Sequence, residues 1–203
     1  MGLRQPLPRG AVLLLPITSL LTPIQVFAAT CETGFAPYME GNPALKKRGS
    51  GTARYLLFRV YDAALYTNVD SESDTDVVAQ PGSQPACLEI CYHRALSAEV
   101  LATAADKVLS EQNSPVELAE IQPQIDQLHN AYKPVSVGDR YRLCRDQSAQ
   151  LTLSLNGKPL TTVAGREFST RYLDIWLGER PLSRSLRAEL LAERPNRRQQ
   201  AAY

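Results

Sequence analysis

The chain has 203 residues, 44% of them apolar, and a net charge of +1 at pH 7. That length suits one domain built on one core. The near-neutral balance excludes a basic field able to hold nucleic acid.

The N-terminus reads as an export signal. Arg4 and Arg9 supply the positive region, Ala11 to Leu21 the apolar run, and Val26-Phe27-Ala28 the small residues of a cleavage site. Residues 1–28 are therefore expected to be a signal peptide, and the mature protein is expected in the periplasm. The run is short and interrupted by Pro16 and Pro23, so no stable membrane span is expected after cleavage. An uncleaved anchor is the alternative. Export gives the four cysteines a meaning. Cys31, Cys87, Cys91 and Cys144 form an even set, which predicts two disulfides. Cys87 and Cys91 fall on one strand, roughly 13 Å apart, too far for a bond to each other. Each should reach Cys31 or Cys144, and a strand-to-strand bond to Cys144 is favoured. Zinc would need closely spaced ligands, with only His93 nearby, so no metal is expected.

The mature chain opens irregularly, with strand character near Phe35 to Met39. Leu45 onward suggests a hairpin with Gly49-Ser50-Gly51 as its turn. Arg54 to Thr67 is rich in aromatic and branched residues, contains no Gly or Pro, and reads as one long strand. Its alternation is apolar on both sides. A bulge would swap the parity, so alternation leaves open whether Arg54 shares a face with Tyr61 or with Tyr66. Asn68 to Gln84 is acidic and Ser-rich, an exposed loop whose oxygens do not match a calcium loop.

Cys87 to Arg94 is a second strand. Ser97 caps a helix with Leu96 and Leu101 as its staple, buried through Val100, Ala104 and Val108. Ser114-Pro-Val-Glu117 is a capping box opening a second helix. Its stripe is Leu118, Ile121, Ile125, Leu128 and Tyr132, with a break or kink expected at Pro123. Arg140 to Arg145 is a strand. Leu151 to Leu155 alternates and turns through Asn156-Gly157 into Pro159 to Val163. Phe168, Tyr172, Leu173 and Trp176 line a helix that Gly178 ends. A last helix spans Ser183 to Glu193, and 194–203 is expected to be a disordered polar tail. The single domain thus covers 29–193. Helices cluster in two blocks among strands, which predicts an α+β fold: an open-faced, mostly antiparallel sheet backed by helices.

Two stretches carry a resemblance. Gly51-Thr-Ala-Arg54, followed by Phe58-Arg-Val-Tyr61-Asp-Ala-Ala-Leu-Tyr66, resembles the first core strand of the chalcone isomerase-like superfamily. Ile175-Trp-Leu-Gly178-Glu-Arg-Pro181-Leu-Ser-Arg-Ser-Leu186 resembles that family's closing helix pair. The resemblance spans roughly Lys46 to Leu191 and points to a bacterial exported branch. It implies the same open-faced sheet and helix layer.

In the plant isomerases an arginine steadies an anionic substrate during ring closure, as developing negative charge requires. Arg54 matches that arginine. Tyr61 falls where the enzymes have a catalytic threonine. Ile175 and Trp176 fall where they line the flavonoid pocket, and Ile175 cannot hydrogen-bond. With the arginine kept and other catalytic residues changed or unmatched, the chain resembles the non-catalytic branch, which binds fatty acids. The resemblance then implies a site for a small apolar acid built from Arg54, Tyr61, Tyr66, Ile175 and Trp176. The alternatives are an isomerase using Arg54 and Tyr61, and a structural protein in which Arg54 pairs with an acid such as Asp62. No Gly-rich phosphate loop or nucleophilic triad is present, no cofactor is expected, and no oligomeric state is read from the sequence.

Overall fold

The computed structural model describes residues 2, 31, 34–40, 44–68 and 84–192. The expected signal peptide apart from Gly2, most of the expected acidic loop and the expected polar tail lie outside the described residues. Among the described residues seven strands form one sheet: β1 (Tyr38–Met39), β2 (Leu45–Tyr55), β3 (Phe58–Asn68), β4 (Ala86–Tyr92), β5 (Arg140–Arg145), β6 (Leu151–Leu155) and β7 (Lys158–Val163). Each pairs antiparallel with its neighbour in sequence, so the spatial order is β1 to β7 in chain order. Helices α1 (Ala98–Gln112) and α2 (Pro115–Ala131) separate β4 from β5. Helices α3 (Arg166–Leu177) and α4 (Arg184–Leu190) follow β7. This is the α+β architecture expected from the sequence.

Period-two alternation sorts the sheet's two faces. Tyr61, Ala63 and Leu65 of β3, with Leu88, Ile90 and Tyr92 of β4, join the main core under the helices. Ala64, Tyr66 and Cys87 turn the other way and meet Leu45, Phe35 and Met39. Cys87 and Cys91 share the parity of this face on β4; Cys91 bonds Cys31, which precedes β1, and Cys87 bonds Cys144 of β5. Cys87 and Cys144 are direct cross-strand partners, with Cα atoms 4.1 Å apart, so sheet register alone brings them into reach.

Three local expectations change. The long strand is two strands, because the chain reverses at Leu56-Leu57 and pairs Tyr55 with Phe58. Leu56 takes the left-handed conformation, φ 55°, that a tight hairpin turn requires. Gly49-Ser50-Gly51 is not a turn. These residues run straight through β2, where α4 lies on the strand: a Cβ on Gly49 would fall 2.1 Å from the Glu189 carbonyl oxygen. The glycines are there for close backbone approach. Helix α2 runs uninterrupted through Pro123, which sits on its exposed side. Ile121 and Ile125, buried on either side of it, hold both halves against the core.

The caps follow the sequence. The Ser97 hydroxyl accepts from the Val100 amide, and Ser114 with Glu117 completes the capping box. Val100, expected in the core, is 52% exposed, while Val108 is buried. Val100 stands at the edge of a cavity.

Candidate functional site

Between the helix-facing side of the sheet and α1 and α3 lies a cavity of about 470 Å³. Its floor is sheet: Ala53, Val60, Tyr61, Ile90, Tyr92 and Leu143. Its roof is helical: Leu101, Ala104 and Ala105 from α1, Ile175 and Trp176 from α3. The lining is overwhelmingly apolar because these strand and helix positions face the core by their own periodicity. Every formally charged residue that lines it is a cation: Arg54, Arg94 and Lys107. All three are exposed.

A bulge between Ala53 and Arg54 breaks the register of β2. As a result both residues line the cavity, Ala53 from within and Arg54 as an exposed residue. No carboxylate among the described residues pairs with Arg54. Asp62 is occupied elsewhere, accepting from the Thr52 hydroxyl at 2.7 Å and from Arg59 at 2.9 Å, and bonding His93 Nε2 at 2.8 Å. Burial works against ionisation of Asp62, but these hydrogen bonds hold its carboxyl below the usual range.

Tyr61 is 7% exposed, and its hydroxyl accepts from Trp176 Nε1 at 3.0 Å. Burial pushes its pKa up to about 12, with the Trp176 bond pulling the other way. Tyr61 therefore stays neutral and keeps a proton to donate. Its ring meets Tyr92 edge-on at 5.9 Å, and Tyr92 meets Tyr141 at 6.0 Å. The Tyr92 hydroxyl has no hydrogen-bond partner among the described residues. Burial, followed by the neighbouring tyrosines, raises its pKa well above the usual value. The Tyr132 hydroxyl bonds that of Tyr172 at 2.7 Å, and Tyr141 both donates to the Lys133 carbonyl and accepts from its amide. Those phenols are satisfied. Tyr61 and Tyr92 have O–H groups left to offer.

A family model described as chalcone isomerase-like matches residues 36–192. The chain belongs to the chalcone isomerase-like family. Among solved structures it is similar to a fatty-acid binding protein of Arabidopsis thaliana, with a TM-score of 0.60 and 12% identity. The match covers 77% of this chain and 90% of that one. At that identity the likeness is one of fold. No curated protein matches the sequence.

On this chalcone isomerase-like scaffold the cavity brings together Arg54, Tyr61, Ile175 and Trp176. Tyr66 is not with them. It points to the opposite face, and its hydroxyl donates to the Ala36 carbonyl at 3.0 Å. Tyr66 lies five positions after Tyr61, an odd step along a regular strand, which puts them on opposite faces. Sequence reasoning missed Arg94, Lys107, Tyr92 and Tyr141. Tyr92 and Tyr141 carried a usable signal: each is a phenol at a core-facing strand position, where a polar tip needs a partner. Arg94 and Lys107 carried none, since only the tertiary fold brings a loop and a helix side to the same opening.

Proposed function

We propose that this protein is exported and binds a small apolar carboxylate, such as a fatty acid, without transforming it. The observation that carries this reading is the charge of the cavity: apolar walls, three cations and no acid in the lining. Its volume of about 470 Å³ falls in the roughly 300–1,000 Å³ range of small-molecule sites. Such a lining suits an alkyl chain that ends in one negative charge. Arg54 faces the head group, Tyr61 and Tyr92 offer neutral O–H donors, and Ile175 and Trp176 contact the tail. The similar fold of a fatty-acid binding protein supports the same class of ligand. The two disulfides and the sequence of 1–28 support export.

Thermal melts with and without a long-chain fatty acid test this. At a hundredfold excess over Kd, binding should stabilise wild type by about 2.7 kcal/mol. Arg54→Met should abolish that gain. Because Arg54 is exposed and no carboxylate among the described residues pairs with it, the ligand-free variant should melt within about 0.5 kcal/mol of wild type. A wild type indifferent to fatty acid, or a ligand-free Arg54→Met that melts far lower, refutes the reading. Loss of a chalcone's visible absorbance well above the spontaneous rate, abolished by Arg54→Met, would establish the isomerase instead.

A further inference from the structure

The tip of the β2–β3 hairpin is built against the rules for a soluble turn. Tyr55, Leu56, Leu57 and Phe58 are 69%, 78%, 90% and 61% exposed. They form one unbroken run of large apolar side chains at the end of a projecting hairpin. A tight hairpin turn favours Gly, Asn or Asp, and Leu56 occupies a left-handed position at a cost in backbone strain. Directly behind the tip, Arg54 and Arg59 are cross-strand partners, a like-charge pairing that disfavours the hairpin in water. The Arg94 guanidinium lies over the Phe58 ring, 5.5 Å from its centre. Only Arg59 of the three is ion-paired within the hairpin, to Asp62.

Three local penalties therefore coincide: exposed apolar surface, a strained turn and facing like charges. The first and the last are relieved by one environment, and the strained turn is what holds the leucines out at the tip. An anionic bilayer surface would take the two leucines and the aromatic pair into its interfacial layer. It would place phosphates against the collar of Arg54, Arg59 and Arg94. The tip also adjoins the cavity. Tyr55, Arg54 and Arg94 line it, and so do the exposed Val100 and Leu182.

We propose that the hairpin tip Tyr55–Phe58 docks this protein on anionic membrane surfaces, with the cavity opening beside the bilayer. Docking of this kind places the protein on the membrane without crossing it. Among the described residues no helix is long and apolar enough to span. The proposal stands on the tip itself and does not depend on what the cavity holds.

The test is co-sedimentation of the full chain with vesicles of phosphatidylcholine, alone or mixed with phosphatidylglycerol, at low and high salt. It is run beside a Leu56→Gly, Leu57→Asn variant. Those residues are ones a two-residue hairpin turn prefers, so the variant should fold at least as well, as circular dichroism and melting will show. Any binding by other segments is common to both proteins and cancels. Wild type should partition at least about tenfold more strongly than the variant into anionic vesicles. Its binding should weaken with salt and in the absence of phosphatidylglycerol. Equal partitioning of the two proteins, or none by either, overturns the proposal. So does wild-type dimerisation in sedimentation velocity that the variant loses, without vesicle binding, because the tip would then serve a second copy of the chain.

Discussion

Single side chains set the electrostatic character of this molecule by where strand and helix periodicity place them. Asp174 on α3 is one whose protonation the fold alters. Burial pushes its carboxyl up to about 6, against the pull of Arg145, Arg171 and Arg187. Its Oδ1 is buried without a hydrogen bond. A carboxyl whose folded pKa lies above its unfolded value of roughly 3.9 holds its proton longer in the folded state. Its stability contribution is therefore full below about 4 and is lost as pH rises to about 6. Asp174→Asn should abolish that slope. Urea unfolding of both proteins across pH 4 to 7 should show the variant gaining on wild type as pH rises, by on the order of 1–2 kcal/mol after solvent screening. Comparing the two cancels His129, whose pKa burial moves below the usual histidine value and whose slope runs the other way. A constant difference across that range would show that the site is solvated. None of this was legible in the sequence, since Asp174 reads there as one more helix acid.

At the scale of elements, the sequence named most helices and strands correctly where local chemistry decides them. Ser97, Ser114 with Glu117, and Asn156-Gly157 are such signals, because a cap or a tight turn is made by residues adjacent in the chain. It failed between Gly49 and Phe58. There the glycines serve α4, more than a hundred residues away, and a turn made of two leucines carries no turn residue at all. The glycine role gives a direct test. A methyl on Gly49 would meet the backbone oxygens of Glu189 and Leu190, at 2.1 and 2.5 Å, which cannot swing aside. A methyl on Gly51 would first meet the Glu189 carboxylate, the movable end of a flexible side chain. Gly49→Ala should therefore cost about 3 kcal/mol by overpacking, and Gly51→Ala clearly less. Chemical denaturation measures both. Equal, small costs would mean that α4 does not rest on β2.

For the molecule as a whole, the fold class was readable because α+β layering follows from the grouping of strand and helix patterns. The cavity was only half readable. Arg54, Tyr61, Ile175 and Trp176 were named together, but from resemblance. The sequence read Val100 as core, because a residue bordering an apolar cavity has the same periodicity as one packed against another helix. The two disulfides hold the second face. Cys31–Cys91 and Cys87–Cys144 close loops with separations of 60 and 57 residues. Each should stabilise the fold by about 4 kcal/mol on loop entropy alone. Non-reducing peptide mapping should recover these two pairs and no others, and reduction should lower the melting temperature sharply. Four free thiols, or a Cys87–Cys91 pair, would contradict this arrangement of the second face.

The sheet's spatial order is its order of synthesis. Every strand from β2 onward pairs with the strand before it, so the sheet can be extended edge by edge, each addition closing only a local loop until β5. The glycine shelf on β2 is different. Its strand comes early in the chain, yet its cover, α4, is the last helix among the described residues. Until α4 docks, that groove stands open, an early strand waiting on a late helix. Closing that groove joins residues from opposite ends of the domain, so it carries one of the largest loop-closure costs in the fold.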